Sequence, residues 1–214
     1  MDFVSKTSYP FFVPSASILV SKISPAPNFS ASFAQVITSI PVLGTDKLFP
    51  VRRVYCIGRN YAEHAKELGN AVPTTEPVIF MKPKNALLQA HTPFYYPDFT
   101  NKLHYECELV LRICKNGKHI QSSFASNYYN GIGVGIDFTA RDIQDECKKK
   151  GLPWEKAKAF DNSAAVSTFL NITPALNKKN INFSLKKNGE LMQKGLSGDM
   201  IFSFDSIIEH ISNY

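Results

Sequence analysis

The sequence predicts an α+β fold. Three observations carry that reading: strand-period runs at 103–113 and 131–137, short capped helical segments near 60–69 and 140–150, and an Asn188-Gly189 turn between two further strand-like runs. The chain has 214 residues and is 44% hydrophobic, enough for one main domain with a real core and a tail. The tail is read as 1–50 and the domain as 51–214.

The first 50 residues carry Lys6, Lys22 and Lys47, two acids and no arginine. Ser, Pro and Phe are frequent, and no helix or strand period persists. Mitochondrial presequences are Arg-rich, Ser-rich and acid-poor. This segment meets the second and third conditions, so it is read either as a targeting segment or as a disordered or artefactual tail. The apolar stretch 9–20 is short and broken by Pro10 and Pro14, so it is neither a membrane span nor a good signal-peptide core.

Val54-Tyr55-Cys56-Ile57-Gly58 reads as a short buried strand. Asn60 can cap a helix running to about Gly69. On that helix His64 and Glu67 stand i, i+3 and share a face. A carboxylate bonded to an imidazole fixes its tautomer and raises its basicity, which suits a general base acting on water. An ordinary surface ion pair is the alternative.

From Leu103 to Ile113 the residues alternate. Leu103, Tyr105, Cys107, Leu109, Leu111 and Ile113 are apolar or aromatic; His104, Glu106, Glu108 and Arg112 are polar, with Val110 the one break. Glu106 and Glu108 therefore share a face. In the second run Gly131, Gly133, Gly135 and Asp137 share one face, and glycines there suggest a close approach to the backbone, for which a metal-bound substrate beside Asp137 is a fit. Converging carboxylates are costly. Two charges about 4 Å apart repel by roughly 4 kcal/mol at an effective dielectric near 20. Protons or a divalent cation must intervene, and all-oxygen ligands favour Mg²⁺, Mn²⁺ or Ca²⁺ over zinc. The competing reading is a set of solvent-facing acids on an amphipathic strand.

Thr139-Ala-Arg-Asp142 resembles a capping box, so a helix is expected over 140–150, stopped by Gly151-Leu-Pro153. Lys148, Lys149 and Lys150 fall in its last turn, where the dipole favours cations. Gln144, on the second turn, can reach back over the acids, and Lys158 can supply a positive charge. Asn188-Gly189 is the strongest hairpin signal in the chain. The final stretch, 203–214, lies in or just after a helix. Net charge is +6 and the sequence pI about 9.1. No nucleic-acid motif or interleaved aromatic platform accompanies the lysines, so an anionic small molecule is the expected partner, not nucleic acid or membrane. The four cysteines have no CxxC spacing and read as reduced thiols in a non-secreted protein.

Taken together these motifs resemble the fumarylacetoacetate hydrolase family. The resemblance rests on Ile57-Gly-Arg-Asn-Tyr-Ala-Glu-His64, Pro77-Val-Ile-Phe-Met-Lys82-Pro83, His104-x-Glu106-x-Glu108, Asp137-Phe-Thr-Ala-Arg141-Asp142-x-Gln144, and Cys147 to Trp154 followed by Ala157-Lys158-x-Phe160. The last of these is nearest the acylpyruvase and oxaloacetate tautomerase branch. The resemblance implies a mixed β-sandwich roll with short helices, usually a homodimer, in a mitochondrial or otherwise cytoplasmic setting. It implies Mg²⁺ or Mn²⁺ on Glu106, Glu108 and Asp137. It implies a water-activating His64–Glu67 dyad on a mobile lid, with Arg59, Gln144 and Lys158 contacting substrate. The implied reaction is C–C bond hydrolysis of acylpyruvates to pyruvate and a carboxylate. Oxaloacetate tautomerisation or decarboxylation at the same site is the alternative. The family pattern continues past Tyr214 with further strands and a Thr-Gly-Thr-Pro loop, so the resemblance also implies a truncated chain, and a catalytically impaired homologue is a further expectation.

Overall fold

The computed structural model describes residues 16–20, 38–62, 75–89 and 91–214. A seven-stranded mixed sheet organises them, in the order β5-β4-β1-β6-β7-β8, with β9 also on β7. The strands are β1 (Ala16–Val20), β4 (Arg53–Gly58), β5 (Val78–Lys82), β6 (Leu103–Ile113), β7 (Tyr129–Ala140), β8 (Ala164–Val166) and β9 (Leu170–Asn171). Among the strand pairs of this sheet in the described residues, β1–β6 is parallel and the others are antiparallel. Two hairpins flank the sheet: β2 (Ser39–Pro41) with β3 (Leu48–Pro50), and β10 (Asn182–Lys187) with β11 (Glu190–Leu196). The helices are short: α1 (Arg141–Lys150), α2 (Glu155–Lys158) and α3 (Phe204–Ile211). This is the expected α+β layout, a mixed sheet packed on both faces with a few short helices.

β6 shows why both faces are covered. Its odd residues Cys107, Leu109, Leu111 and Ile113 form one core with Ile132 of β7, Phe183 of β10, and Phe204, Ile207 and Ile208 of α3. Its even residue Val110 joins a second core with Val54 and Cys56 of β4, Ile40, Val42, Phe49 and Phe169. Each fully buried side chain of this size contributes about 1.5–3 kcal/mol. Val110, a break in the amphipathic pattern, is thus the apolar anchor of a second buried face. Arg112 is buried there too, donating to Asn130 Oδ1 and Asn171 Oδ1 at 2.9 Å each.

Several local expectations hold. The hairpin turns at Asn188 (φ 53°) and Gly189 (φ 84°), both left-handed as a two-residue turn demands. Helix α1 ends on Gly151 in the left-handed region. Its start differs. Thr139 lies inside β7, and the N-cap position is Ala140 with no side-chain cap. Asp142 does that work instead, accepting from the Ile143 N–H at 2.9 Å. The expected 60–69 helix falls largely outside the described residues, and Asn60 pairs through its side chain with both backbone groups of Phe202. Within the first 50 residues, where no period persists in sequence, β1 sits mid-sheet and β2–β3 pack on the second core.

The glycine face of β7 is approached closely, by the protein itself. A Cβ on Gly131 would lie 2.8 Å from Arg112 Nε, and one on Gly135 would lie 2.8 Å from a Val110 methyl. The small residues let the even side chains of β6 lie flat across the neighbouring strand.

Candidate metal centre

β6 and β7 place the acids by register alone. Glu106 faces Asp137 directly across the antiparallel pair, and Glu108 faces Gly135. Residues i and i+2 share a face, so all three carboxylates point to the side that carries Val110. One oxygen from each lies within 4.8 Å of the others, and all three residues are buried. The solvent-facing alternative is therefore excluded.

Basic side chains from three other elements meet them. Lys158, at the end of α2, reaches Asp137 Oδ2 at 2.5 Å and Glu106 Oε2 at 3.3 Å. Lys82, at the end of β5, lies 2.9 Å from Asp137 Oδ1. Its ammonium also donates to the Ser163 carbonyl (3.0 Å) and hydroxyl (3.1 Å) and to the Lys158 carbonyl, so it ties the loop bearing Lys158 to the sheet. Arg141, opening α1, pairs with Glu106 Oε1 and donates to Gln144 Oε1 and to His104 Nδ1. The formal charges of these three acids and three bases cancel. Proton or metal is thus not the only answer to carboxylate repulsion here; buried cations supply a third.

The shifts follow from this crowding. Burial pulls the Lys158 ammonium down, and Asp137 with Glu106 more than offset it, so its pKa is raised and it stays charged. Burial, reinforced by Arg141, lowers His104 to about 4. A neutral imidazole accepting at Nδ1 carries its proton on Nε2.

The oxygen cluster fits a hard divalent cation. Mg²⁺ holds its oxygen ligands at about 2.0–2.1 Å, so opposite ligands stand roughly 4.2 Å apart. The observed 4.8 Å limit is within a small side-chain adjustment of that. Asp137 Oδ1 adds a second sign of fit. It is buried and accepts no properly directed hydrogen bond, although Lys82 Nζ is 2.9 Å away. A lone pair of that oxygen remains available.

The other expected site residues divide. Gln144 is buried beside the cluster through Arg141. Arg59 is half-buried just after β4, in the left-handed region at φ 59°. His64 and Glu67 lie outside the described residues. Sequence reasoning assigned no role to Lys82, Arg141 or His104. The available signal was charge balance: three acids brought to one buried face require cations near them.

Residues 53–214 match the family described as fumarylacetoacetate (FAA) hydrolase, C-terminal. The chain belongs to this family. The mitochondrial oxaloacetate tautomerase of Bos taurus is 42% identical over 161 residues, covering 75% of this chain and 72% of that protein. The oxaloacetate tautomerase of Escherichia coli is 40% identical over 167 residues, covering 78% and 76%. A fumarylpyruvate hydrolase from Pseudomonas aeruginosa, solved with Mn²⁺ and pyruvate, superposes with a TM-score of 0.79 at 36% identity, covering 86% of this chain and 81% of that one. These fumarylacetoacetate hydrolase relatives are enzymes acting on small molecules, and membership supports an enzyme here. Among the described residues, no helix is long and apolar enough to cross a membrane.

Proposed function

We propose that this chain is a Mg²⁺- or Mn²⁺-dependent hydrolase that cleaves the C3–C4 bond of acylpyruvates, with Glu106, Glu108 and Asp137 as the metal ligands. The observation that carries it is the convergence of three buried carboxylates beside Lys158. The bound cation supplies Lewis-acid polarisation of the substrate's 2-oxo group. Lys158 holds an ammonium next to the oxygen on which negative charge develops. Arg59 and Gln144 bind the substrate's carboxylate and oxo groups. His64, oriented by Glu67, takes a proton from water as that water attacks the C4 carbonyl. The C3–C4 bond breaks, its electron pair passes to pyruvate enolate, and the acyl group leaves as a carboxylic acid. C3 then takes up a proton to give pyruvate. The Mn²⁺- and pyruvate-bound hydrolase with the same fold supports this reading.

A second reading is favoured by the names of the sequence relatives: oxaloacetate tautomerisation, in which the C2 oxygen takes a proton from the Lys158 ammonium, C3 gives one up to solvent, and solvent recharges Lys158. Decarboxylation of oxaloacetate would instead break the C3–C4 bond, release CO₂ and leave the same pyruvate enolate as the hydrolysis. Purified protein should turn over acetylpyruvate with Mn²⁺ and lose that activity in excess EDTA; equal rates in both overturn the metal assignment. His64→Ala separates the two reactions, because it should abolish hydrolysis while oxaloacetate tautomerisation and Mn²⁺ binding persist. A homodimer is proposed on the family pattern, with light scattering as its check. A mitochondrial location is proposed from the names of relatives, with fractionation as its check.

A further inference from the structure

The carboxylate cluster has an apolar neighbour. A cavity of about 300 Å³ lies between β5 and the turn leading into α2, with Phe80, Leu152, Pro153, Trp154, Glu155 and Lys158 among its walls. Lys158 is the wall shared with the metal centre. Its ammonium sits on Asp137 and Glu106 and also lies 5.0 Å from the centroid of the Phe80 ring. Phe80 shares a strand face with Lys82, which contacts Asp137, so the ring stands on the carboxylate side of the sheet. Trp154 meets Phe80 with ring centroids 6.1 Å apart, closing one side of the cavity. β5 is the terminal strand of the sheet, and Leu152 is 51% exposed, an apolar side chain left at the mouth.

We propose that this cavity receives the apolar tail of a 2-oxo acid whose head sits on the carboxylate cluster, so that the preferred substrates carry short, uncharged alkyl acyl groups. The proposal deepens the 2-oxo acid reading above and rests on it, because the tail reaches the cavity only from a head held beside Lys158. The volume stands at the lower end of small-molecule sites, roughly 300–1,000 Å³, which suits a short chain. The lining chemistry sets the tail's polarity. Among the described residues that line the cavity the only cation is Lys158, already engaged by Asp137 and Glu106, whereas Glu155 adds a negative charge. A substrate ending in a second carboxylate therefore finds aromatic rings and, in the lining, no cation but the one already engaged by Asp137 and Glu106, while a methylene chain finds the contacts it needs.

Trp154 is the single tryptophan of the chain, so its emission reports on this cavity alone. The full chain with Mn²⁺ is titrated with saturated 2-oxo acids of increasing length, from pyruvate to 2-oxooctanoate. These keep head and tail but have no C4 carbonyl to cleave. Calorimetry should show affinity rising about fourfold per added methylene until the cavity is filled, and Trp154 emission should shift in step. Leu152→Asp, a change at an exposed turn, should hold pyruvate affinity and erase the gain from longer tails. If pyruvate binds but affinity stays flat along the series, or if affinity climbs while Trp154 emission does not move, the cavity is not the tail site. If pyruvate itself fails to bind, the 2-oxo acid reading is overturned and this proposal falls with it.

Discussion

The two faces of β6 differ in how they are held together. The odd face, Cys107 to Ile113, is buried against apolar side chains of α3 and the β10–β11 hairpin. The even face bears Glu106, Glu108, Val110 and Arg112 and is just as buried, but Glu106 pairs with Lys158 and Arg141, and Asp137, opposite it on β7, pairs with Lys82 and Lys158. Apolar packing is non-directional and roughly proportional to area, so many sequences satisfy it. A buried charge cluster is satisfied only by specific partners at hydrogen-bond distance. One strand thus carries a tolerant face that stabilises the fold and an exacting face built for chemistry.

Substitutions that hit one face at a time should separate these roles. The largest effect is expected from Lys82→Met. It strips Asp137 of a partner at 2.9 Å and takes one donor from each of the Lys158 and Ser163 carbonyls, which keep the Ser163 hydroxyl and the Phe138 N–H respectively. Breaking a buried ion pair costs about 3–5 kcal/mol, read as a lower urea midpoint in EDTA. Mn²⁺ affinity should move the opposite way, rising about tenfold, because a like charge beside a ligand oxygen has gone. Leu111→Ala is the matched change on the odd face, at a fully buried position. It should cost about 2–5 kcal/mol from lost burial and cavity formation, with Mn²⁺ affinity unchanged. If Leu111→Ala weakens Mn²⁺ binding as much as it weakens the fold, the two faces are not separable.

The contrast also explains what could be read in the sequence. Strand alternation at 103–113, the Gly151 stop of α1 and the Asn188-Gly189 turn depend on neighbours within a few residues, and the structure has each of them. The convergence of Glu106, Glu108 and Asp137 was legible because strand period sets which residues share a face. Their cations were not. Lys82 closes an apolar strand, and Arg141 reaches Glu106 across 35 residues of chain. No local pattern links them; only the register of β6 with β7 and the path of the α1–α2 loop do. Strands of 3–5 residues such as β1 to β3 are too short for a period to show.

The faces are coupled at one point between the two glutamates. β1 pairs with β6 from Leu109 onward. At Cys107 the side chain of Gln193, from β11, takes the place of a strand neighbour. Its Oε1 accepts the Cys107 N–H at 2.7 Å, and its Nε2 donates to the Cys107 carbonyl at 2.9 Å. Gln193→Ala leaves both buried backbone groups unpaired, at a cost of about 1–3 kcal/mol. Cys107 lies between Glu106 and Glu108, so Mn²⁺ affinity should fall by about threefold to tenfold, a loss of roughly 1 kcal/mol of positioning. Loss of stability with unchanged Mn²⁺ affinity would show that this contact serves the hairpin alone.

The smallest effect concerns the helix that delivers Arg141 and Gln144 to the exacting face. Asp142 accepts from the Thr100 hydroxyl at 2.5 Å and from the Asn101 and Ile143 N–H groups at 2.9 Å each. Burial raises its pKa, but these hydrogen bonds more than offset that and hold it below the ordinary carboxylate value. A folded-state pKa below the unfolded one means that the unfolded chain binds the proton more readily. The stabilisation is therefore present above the unfolded value, about 3.9, and is lost as pH falls through the lower folded value. Asp142→Asn removes the charge at the start of α1 and should cost about 1 kcal/mol at pH 7. By pH 3 the gap between wild type and variant should narrow, because the wild-type carboxylate is by then being protonated. Urea midpoints at the two pH values measure it, and a gap that stays constant would assign the effect to hydrogen-bond geometry and not to charge.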